Sequence, residues 1–78
     1  EKTKIQIFPN PFSLETFITS DEKIENLKIF NMQGKYIKDV KLNDYQFTLK
    51  REDLKSGIYF ITFEKNNIIF EVKKIIIE

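Results

Sequence analysis

Gly57-Ile58-Tyr59-Phe60-Ile61-Thr62-Phe63 is the stretch that decides the predicted fold of this chain. A strand with one face in water alternates apolar and polar side chains, whereas this run is apolar at both odd and even positions. A strand that is covered on both faces has this continuous pattern. We therefore predict that residues 57–63 form a central strand of a β-protein.

Other runs with a two-residue period flank this strand on both sides. The alternation of apolar and polar side chains, closed by turn residues, predicts short strands. About seven short strands with turns roughly every 8–12 residues are typical of an antiparallel sandwich, so we predict a small all-β fold of that kind. The other six runs are 4–8, 14–19, 25–31, 34–42, 45–50 and 68–77.

Proline, asparagine and glycine mark the predicted turns. Pro9-Asn10-Pro11 ends the first run, because proline cannot donate to a sheet ladder and holds the preceding residue extended. Ser20-Asp21-Glu22 and Asn43-Asp44 are predicted to be turns, and Asn66-Asn67 a hairpin turn. Gly34 suits the positive φ of a three-to-five-residue hairpin with a bulge.

Two segments near the end of the chain depart from simple alternation. Residues 51–57 predict one helical turn that buries Leu54 and closes at Gly57 in a left-handed conformation. In the last run the apolar side chains change parity between Val72 and Ile75. Because side chains alternate strictly along a strand, this change predicts a bulge or bend near Lys73 and Lys74, or a change of sheet at that point.

The composition limits the possible functions. The chain has 78 residues, 41% of them hydrophobic, which predicts one small domain over residues 1–78 with residues 1–3 as the end of a linker. A net charge of +1 gives no sign of nucleic-acid binding. No apolar run approaches the roughly 20 residues that span a bilayer. The absence of an initiator methionine suggests a fragment of a longer precursor.

No catalytic, cofactor-binding or metal site is predicted. The sequence contains neither histidine nor cysteine, which excludes Ser-His-Asp and Cys-His nucleophilic sites. Glu52-Asp53 more simply begins a turn than serves glycoside hydrolysis, which needs a cleft. Asp21-Glu22 and Asn43-Asp44 are ordinary turn residues rather than a calcium loop.

Four segments in order resemble the type A C-terminal sorting domain of the type IX (Por) secretion system of Gram-negative bacteria. Ile7-Phe8-Pro9-Asn10-Pro11-Phe12 is similar to the opening motif of that family, and residues 27–35 are similar to its strand-turn-Gly-Lys hairpin. Residues 54–61 resemble its Leu-x-x-Gly-x-Tyr strand entry, and residues 73–78 its closing strand of lysines and aliphatic residues. Asn31-Met32-Gln33 and the final Glu78 depart from the usual pattern.

The resemblance implies an immunoglobulin-like β-sandwich without catalytic activity or cofactor. It implies a cargo domain N-terminal to this one, passage through the periplasm, and recognition by the outer-membrane translocon. It also implies removal by a sortase component, with the cargo attached to the cell surface or secreted.

Eight residues are candidates for recognition or turn formation. Pro9, Asn10 and Pro11 either dock a partner or set a rigid turn, and Gly34 and Gly57 are favoured as conformational residues. Tyr59 is predicted to lie in the core with its hydroxyl bonded to the main chain. Lys73 and Lys74 either present charge to a receptor or keep a sheet edge soluble.

Two alternative functions remain open from the residues. One is an immunoglobulin-like or fibronectin-like accessory domain of a secreted hydrolase or adhesin, which binds carbohydrate or acts as a spacer. The lack of tryptophan counts against carbohydrate binding. The other is a homodimer formed through an edge strand, because Ile75-Ile76-Ile77 is prone to associate if uncovered.

Overall fold

Five antiparallel strands and no helix make up residues 3–78, the part of the chain that the computed structural model describes. The all-β prediction is therefore confirmed. Residues 57–63 lie in β4, which is hydrogen-bonded to β2 on one side and to β5 on the other, so the predicted central strand is confirmed as well. The strands are β1 (Ile5–Phe8), β2 (Glu15–Asn31), β3 (Tyr36–Lys50), β4 (Gly57–Lys65) and β5 (Ile68–Ile77).

The number of strands is five rather than about seven, because two pairs of predicted strands are each one long strand. Ser20-Asp21-Glu22 lies inside β2 and Asn43-Asp44 lies inside β3, so the prediction of turns at both places was wrong. The polar groups of Ser20-Asp21-Glu22 are hydrogen-bonded although the strand continues through them. The Ser20 hydroxyl accepts a hydrogen bond from the Glu22 N–H at 3.0 Å, and the Asp21 carboxylate accepts one from the Lys4 N–H at 2.9 Å.

β2 bends at this polar segment. Thr19 pairs with Gln46 of β3 and Ile24 pairs with Asp44, so residues 20–23 of β2 stand opposite Tyr45 alone. Before the bend β2 pairs with β1, and beyond it β2 pairs with β4. Extra residues on one strand of a pair bend that strand and increase its twist, and the sheet curls as a result.

The concave side of the curled sheet holds one hydrophobic core. Ile18 and Ile24 have even numbers, whereas Leu27 and Ile29 have odd numbers, and all four are fully buried because a second register shift lies between Ile24 and Asn26. The buried hydrophobic residues are Ile5, Phe12, Ile18, Ile24, Leu27, Ile29, Leu49, Leu54, Tyr59, Ile61, Phe63, Ile75 and Ile77.

The predicted irregularity of β5 exists, but its predicted position was wrong. The pairing with β4 shifts between Phe63 and Glu64, which places the extra residue at Phe70. Lys73 and Lys74 lie in regular register opposite Ile61 and Phe60. Phe70 packs against the core, whereas Ile68 and Val72 are exposed.

The two predicted hairpin turns are present, and the predicted helical turn is not. Gly34 has φ +86°, and Asn66 and Asn67 have φ 56° and 62° in the hairpin between β4 and β5, so both predicted hairpins are confirmed. Residues 51–54 form a hydrogen-bonded turn instead of the predicted helical turn, because Glu52 adopts φ 52°. Leu54 is buried as predicted.

Residues 1 and 2 of the predicted linker lie outside the described residues. Thr3 precedes β1 and is half-buried.

Candidate recognition site

The Asn10 side chain joins the start of the chain to its last strand. Its amide nitrogen donates a hydrogen bond to the Lys74 carbonyl at 3.1 Å, and its carbonyl oxygen accepts one from the Ile76 N–H at 3.0 Å. An amide group has one donor and one acceptor end, so this side chain pairs with β5 much as the main chain of a neighbouring strand would.

Phe12 continues this pairing with its own main chain. Its N–H donates to the Ile76 carbonyl at 3.0 Å, and its carbonyl accepts from the Glu78 N–H at 2.9 Å, in a parallel bridge to Ile77. The Phe12 ring is 2% exposed and enters the core. We name this arrangement, in which residues 10–12 cover the edge of residues 74–78, the terminal clamp.

The two prolines of the predicted motif shape the approach to the clamp. The Phe8–Pro9 and Asn10–Pro11 peptide bonds are both cis. The Pro9 carbonyl accepts a hydrogen bond from the hydroxyl of Thr16, which is fully buried at the start of β2. Pro9 and Pro11 therefore lie between β1 and β5, where the chain leaves one strand and reaches the edge of another.

Arg51 holds the end of the clamp at Glu78. Its guanidinium donates to the main-chain oxygen of Glu78 at 2.7 Å, to the Leu54 carbonyl at 2.8 Å and to the Ser56 hydroxyl at 3.0 Å. Sequence reasoning missed this residue. A signal was present, because Arg51 is the one arginine among thirteen basic residues, and a guanidinium donates in several fixed directions where an ammonium does not.

Two of the predicted candidates, Gly57 and Tyr59, lie close to this region. Gly57 begins β4 with φ +149°, opposite Ile77 of β5. Tyr59 is 7% exposed and its hydroxyl donates to the Lys55 carbonyl at 2.7 Å, which confirms the predicted main-chain partner. Gly34 lies in the hairpin between β2 and β3, and the structure does not bring it to the clamp.

Lys73 and Lys74 lie on opposite faces of β5. Lys73 pairs with the buried Ile61 and is half-buried on the core side, whereas Lys74 is exposed and pairs with Phe60 on the outer face. The two lysines therefore do not form one charged patch. Among the described residues, neither has an ion-pair partner.

A groove separates β1 from the first half of β5. It has a volume of about 410 Å³ and is lined by residues 3–6, Glu71 and Lys73. The charged side chains along it are Lys4, Lys73 and Glu71, so its balance is positive. Because Asn10 meets the edge of β5 at Lys74, the terminal clamp begins directly beyond Lys73.

Within residues 3–78, no group of three or more acidic side chains is placed to hold a metal ion. No helix in this part of the chain is long and apolar enough to cross a membrane.

One protein family matches this chain over residues 6–78, and its description is "Secretion system C-terminal sorting domain". The matched segment contains the terminal clamp, Arg51 and all eight predicted recognition and turn residues. No curated protein matches the sequence.

Proposed function

Because the chain belongs to the family of secretion-system C-terminal sorting domains, we propose that its folded surface, with the terminal clamp at its centre, is what the type IX machinery recognises. Members of this family are non-catalytic sorting signals for type IX secretion, and they imply a cargo domain on the N-terminal side and export across the outer membrane. The observation that carries the proposal is the pairing of residues 10–12 with residues 74–78. It makes one surface from the opening and closing motifs of the family.

The proposed route begins in the periplasm of a Gram-negative cell, where the domain folds behind its cargo. The outer-membrane translocon then binds the folded domain and exports both. A sortase component cleaves the chain on the N-terminal side of β1, and the cargo is attached to the cell surface or secreted. Support for a cut at this position comes from Thr3 and Lys4, which precede β1 and lie outside any strand.

The curled sheet is further proposed to correspond to the immunoglobulin-like sandwich of the family. Two features support this assignment. β2 changes partners from β1 to β4 at its bend, and the buried side chains of both of its halves belong to one core cluster. Residues 1–78 are proposed to form a single domain of this kind.

A fusion experiment tests the proposed function. Residues 1–78 are placed after a periplasmic reporter in a host that has a type IX system, and reporter at the cell surface is measured by protease accessibility in intact cells. We expect surface delivery of the complete fusion, and none after deletion of residues 73–78, since the deletion removes the β5 side of the clamp. The reporter fused to an established family member serves as the positive control.

The proposal fails if folded, intact fusions stay in the periplasm while the established member is exported. Mass analysis of the delivered reporter separately tests cleavage. A product that ends before Ile5 is expected, and a surface product that retains the whole domain would contradict the cleavage step alone.

A further inference from the structure

The main-chain groups of β5 that face away from β4 can be assigned from the terminal clamp. In an antiparallel pair, successive residues of a strand direct their N–H and C=O groups to opposite sides. Both main-chain groups of Ile76 bond to residues 10–12, on the side away from β4. The same groups of Lys74 and Val72 therefore face that side too, because Val72 to Ile76 pair with β4 in unbroken register.

This edge is only half occupied. The Lys74 carbonyl accepts the hydrogen bond from Asn10. The Lys74 N–H and both main-chain groups of Val72 have no partner among residues 3–78. Unpaired N–H and C=O groups on a sheet edge are a template for an added strand.

A second edge lies across the groove. Lys4 uses both of its main-chain groups to bond to Asp21 of β2. Strand alternation then directs the main-chain groups of Ile5 and Ile7 away from β2. The groove thus lies between two strand edges, with Lys4 and Lys73 on its walls.

We propose that this groove, and in particular the open edge at Val72 and Lys74, receives an extended strand that carries an acidic side chain and belongs to the type IX machinery. The inference rests on the proposed function and deepens it by naming the surface that is read. The strand would hydrogen-bond to the edge that the terminal clamp leaves open, and so continue the pairing that residues 10–12 begin. Main-chain pairing supplies affinity in this mode of recognition, and side-chain pockets supply specificity.

The positive charge of the groove and of β5 favours an acidic strand over a second copy of this domain. A second copy of this domain, paired through the same edge, would place Lys73 and Lys74 opposite the same lysines, and like charges opposite each other destabilise strand pairs. An acidic side chain on the incoming strand would instead meet Lys4 and Lys73, which have no ion-pair partner within the described residues.

Proline substitutions in β5 test whether its unpaired main-chain N–H groups, rather than its side chains, bind the incoming strand. Val72→Pro and Lys74→Pro each remove an N–H that bonds to nothing in residues 3–78, and proline is tolerated where a strand N–H points outward. Val72→Thr and Lys74→Gln are the matched controls, since they change the side chain and keep the N–H. In the reporter fusion we expect surface delivery to fall roughly fivefold or more for each proline variant, and to change less for the controls.

The wild-type fusion in the same assay keeps the two proposals apart. If the wild type is exported, and folded proline variants are exported equally well, the edge proposal is overturned and the sorting function stands. If the wild type is not exported, the sorting function itself fails.

A photo-cross-linker measures the contact without relying on the proline variants. A benzophenone amino acid replaces Val72, and a control fusion carries it at Tyr36 on β3; both side chains are about half exposed, at 52% and 50%. We expect an adduct with an outer-membrane component of the type IX machinery from position 72 and not from position 36. An adduct with a second copy of the fusion, or no adduct from position 72, would overturn the proposal.

Discussion

At the scale of single residues, two polar side chains decide how the sheet is closed. Asn10 was predicted as a candidate from turn chemistry, and the structure shows it acting as a substitute for strand main chain. Arg51 was not predicted. Its acceptors Leu54 and Ser56 are close to it in the sequence, but the fold alone brings the main-chain oxygen of Glu78 to its guanidinium. A two-residue period reports which face of a strand is buried, but it carries no information on which edge a distant side chain will meet.

Replacement of Asn10 by alanine tests this substitute pairing. Asn10→Ala removes both hydrogen bonds to β5, and we expect the free energy of unfolding to fall by about 1–2 kcal/mol, since each exposed bond contributes modestly. Urea denaturation followed by far-UV circular dichroism measures the change. Gln33→Ala is the control, because it removes a loop amide of similar size that makes no side-chain hydrogen bond to residues 3–78. Equal effects of the two variants would contradict the role given to Asn10.

Arg51 gives a second test at this scale. Arg51→Lys keeps the charge but cannot donate in three fixed directions at once. We therefore expect it to destabilise the domain by about 1–3 kcal/mol, nearly as much as Arg51→Met. Thermal unfolding of both variants measures this, and full stability of the lysine variant would show that charge alone is sufficient.

At the scale of strands and turns, the sequence predicts hairpins better than bends. Gly34 and Asn66-Asn67 were identifiable because positive φ restricts the residue type. The polar segment at Ser20-Asp21-Glu22 resembled a turn in the same way, yet it lies inside β2. Lys4, which lies beside this segment in the fold, donates a hydrogen bond to Asp21, and Glu22 donates one to Ser20. The local sequence does not show that a distant residue such as Lys4 pairs with the segment.

The hairpin between β2 and β3 depends on Gly34. Space is not limiting there, since an added Cβ would meet no atom within 4 Å, so the cost of a side chain comes from φ +86° alone. We expect Gly34→Ala to lower the free energy of unfolding by about 1–2 kcal/mol. Gly34→Asn should cost less, because asparagine tolerates positive φ. Chemical denaturation compares the two, and an alanine variant as stable as the wild type would contradict this account.

An ion pair between β4 and the bend of β2 makes the stability of the domain depend on pH in the alkaline range. The Lys65 ammonium lies 3.0 Å from the Glu22 carboxylate, and hydrogen bonding to this carboxylate raises the pKa of Lys65 above its usual value of 10.5. Because the folded pKa lies above the unfolded one, this stabilisation is fully present below pH 10.5 and is lost as the pH rises through the folded pKa.

Glu22→Gln should reduce the loss of stability at alkaline pH, which we call the alkaline limb. Salt should also reduce it in the wild type, because the Lys65 and Glu22 side chains are exposed to solvent. Thermal unfolding from pH 8 to about 11, at low and high salt, measures the effect. An alkaline limb that is identical in the wild type and in Glu22→Gln would contradict it.

At the scale of the whole molecule, the fold depends on a few residues that carry the first motif into the core. Phe8 and Phe12 both belong to that motif, yet Phe8 is 77% exposed and Phe12 is 2% exposed. Phe12→Ala should cost about 3–5 kcal/mol and lower the midpoint of the entire unfolding transition, since the core is one cluster. Phe8→Ala is the matched control and should cost little. Calorimetry of both variants tests this, and similar losses would show that the clamp does not depend on core packing.

The predicted fold class and central strand are confirmed. Which faces of a strand are buried in the whole molecule determines the pattern of apolar and polar side chains along that strand, so the pattern can be read from the sequence. The strand count was wrong because a continuous bent strand and two strands with a turn give the same alternating pattern. The position of the β5 bulge was wrong for a related reason. The parity of Ile75 and Ile77 requires a shift somewhere after Ile68, but only the pairing with β4 places it at Phe70.

The Asn10 hydrogen bonds join residues 64 and 66 positions apart. Contacts at such separation form late, after most of the entropy of the chain has been lost. A partly made or nicked domain would therefore lack this contact even where its hairpins had formed. A receptor that binds the neighbouring edge of β5 would therefore bind only domains that are complete and folded. Because this domain follows the exported protein in the chain, transport would be restricted to proteins whose synthesis has finished.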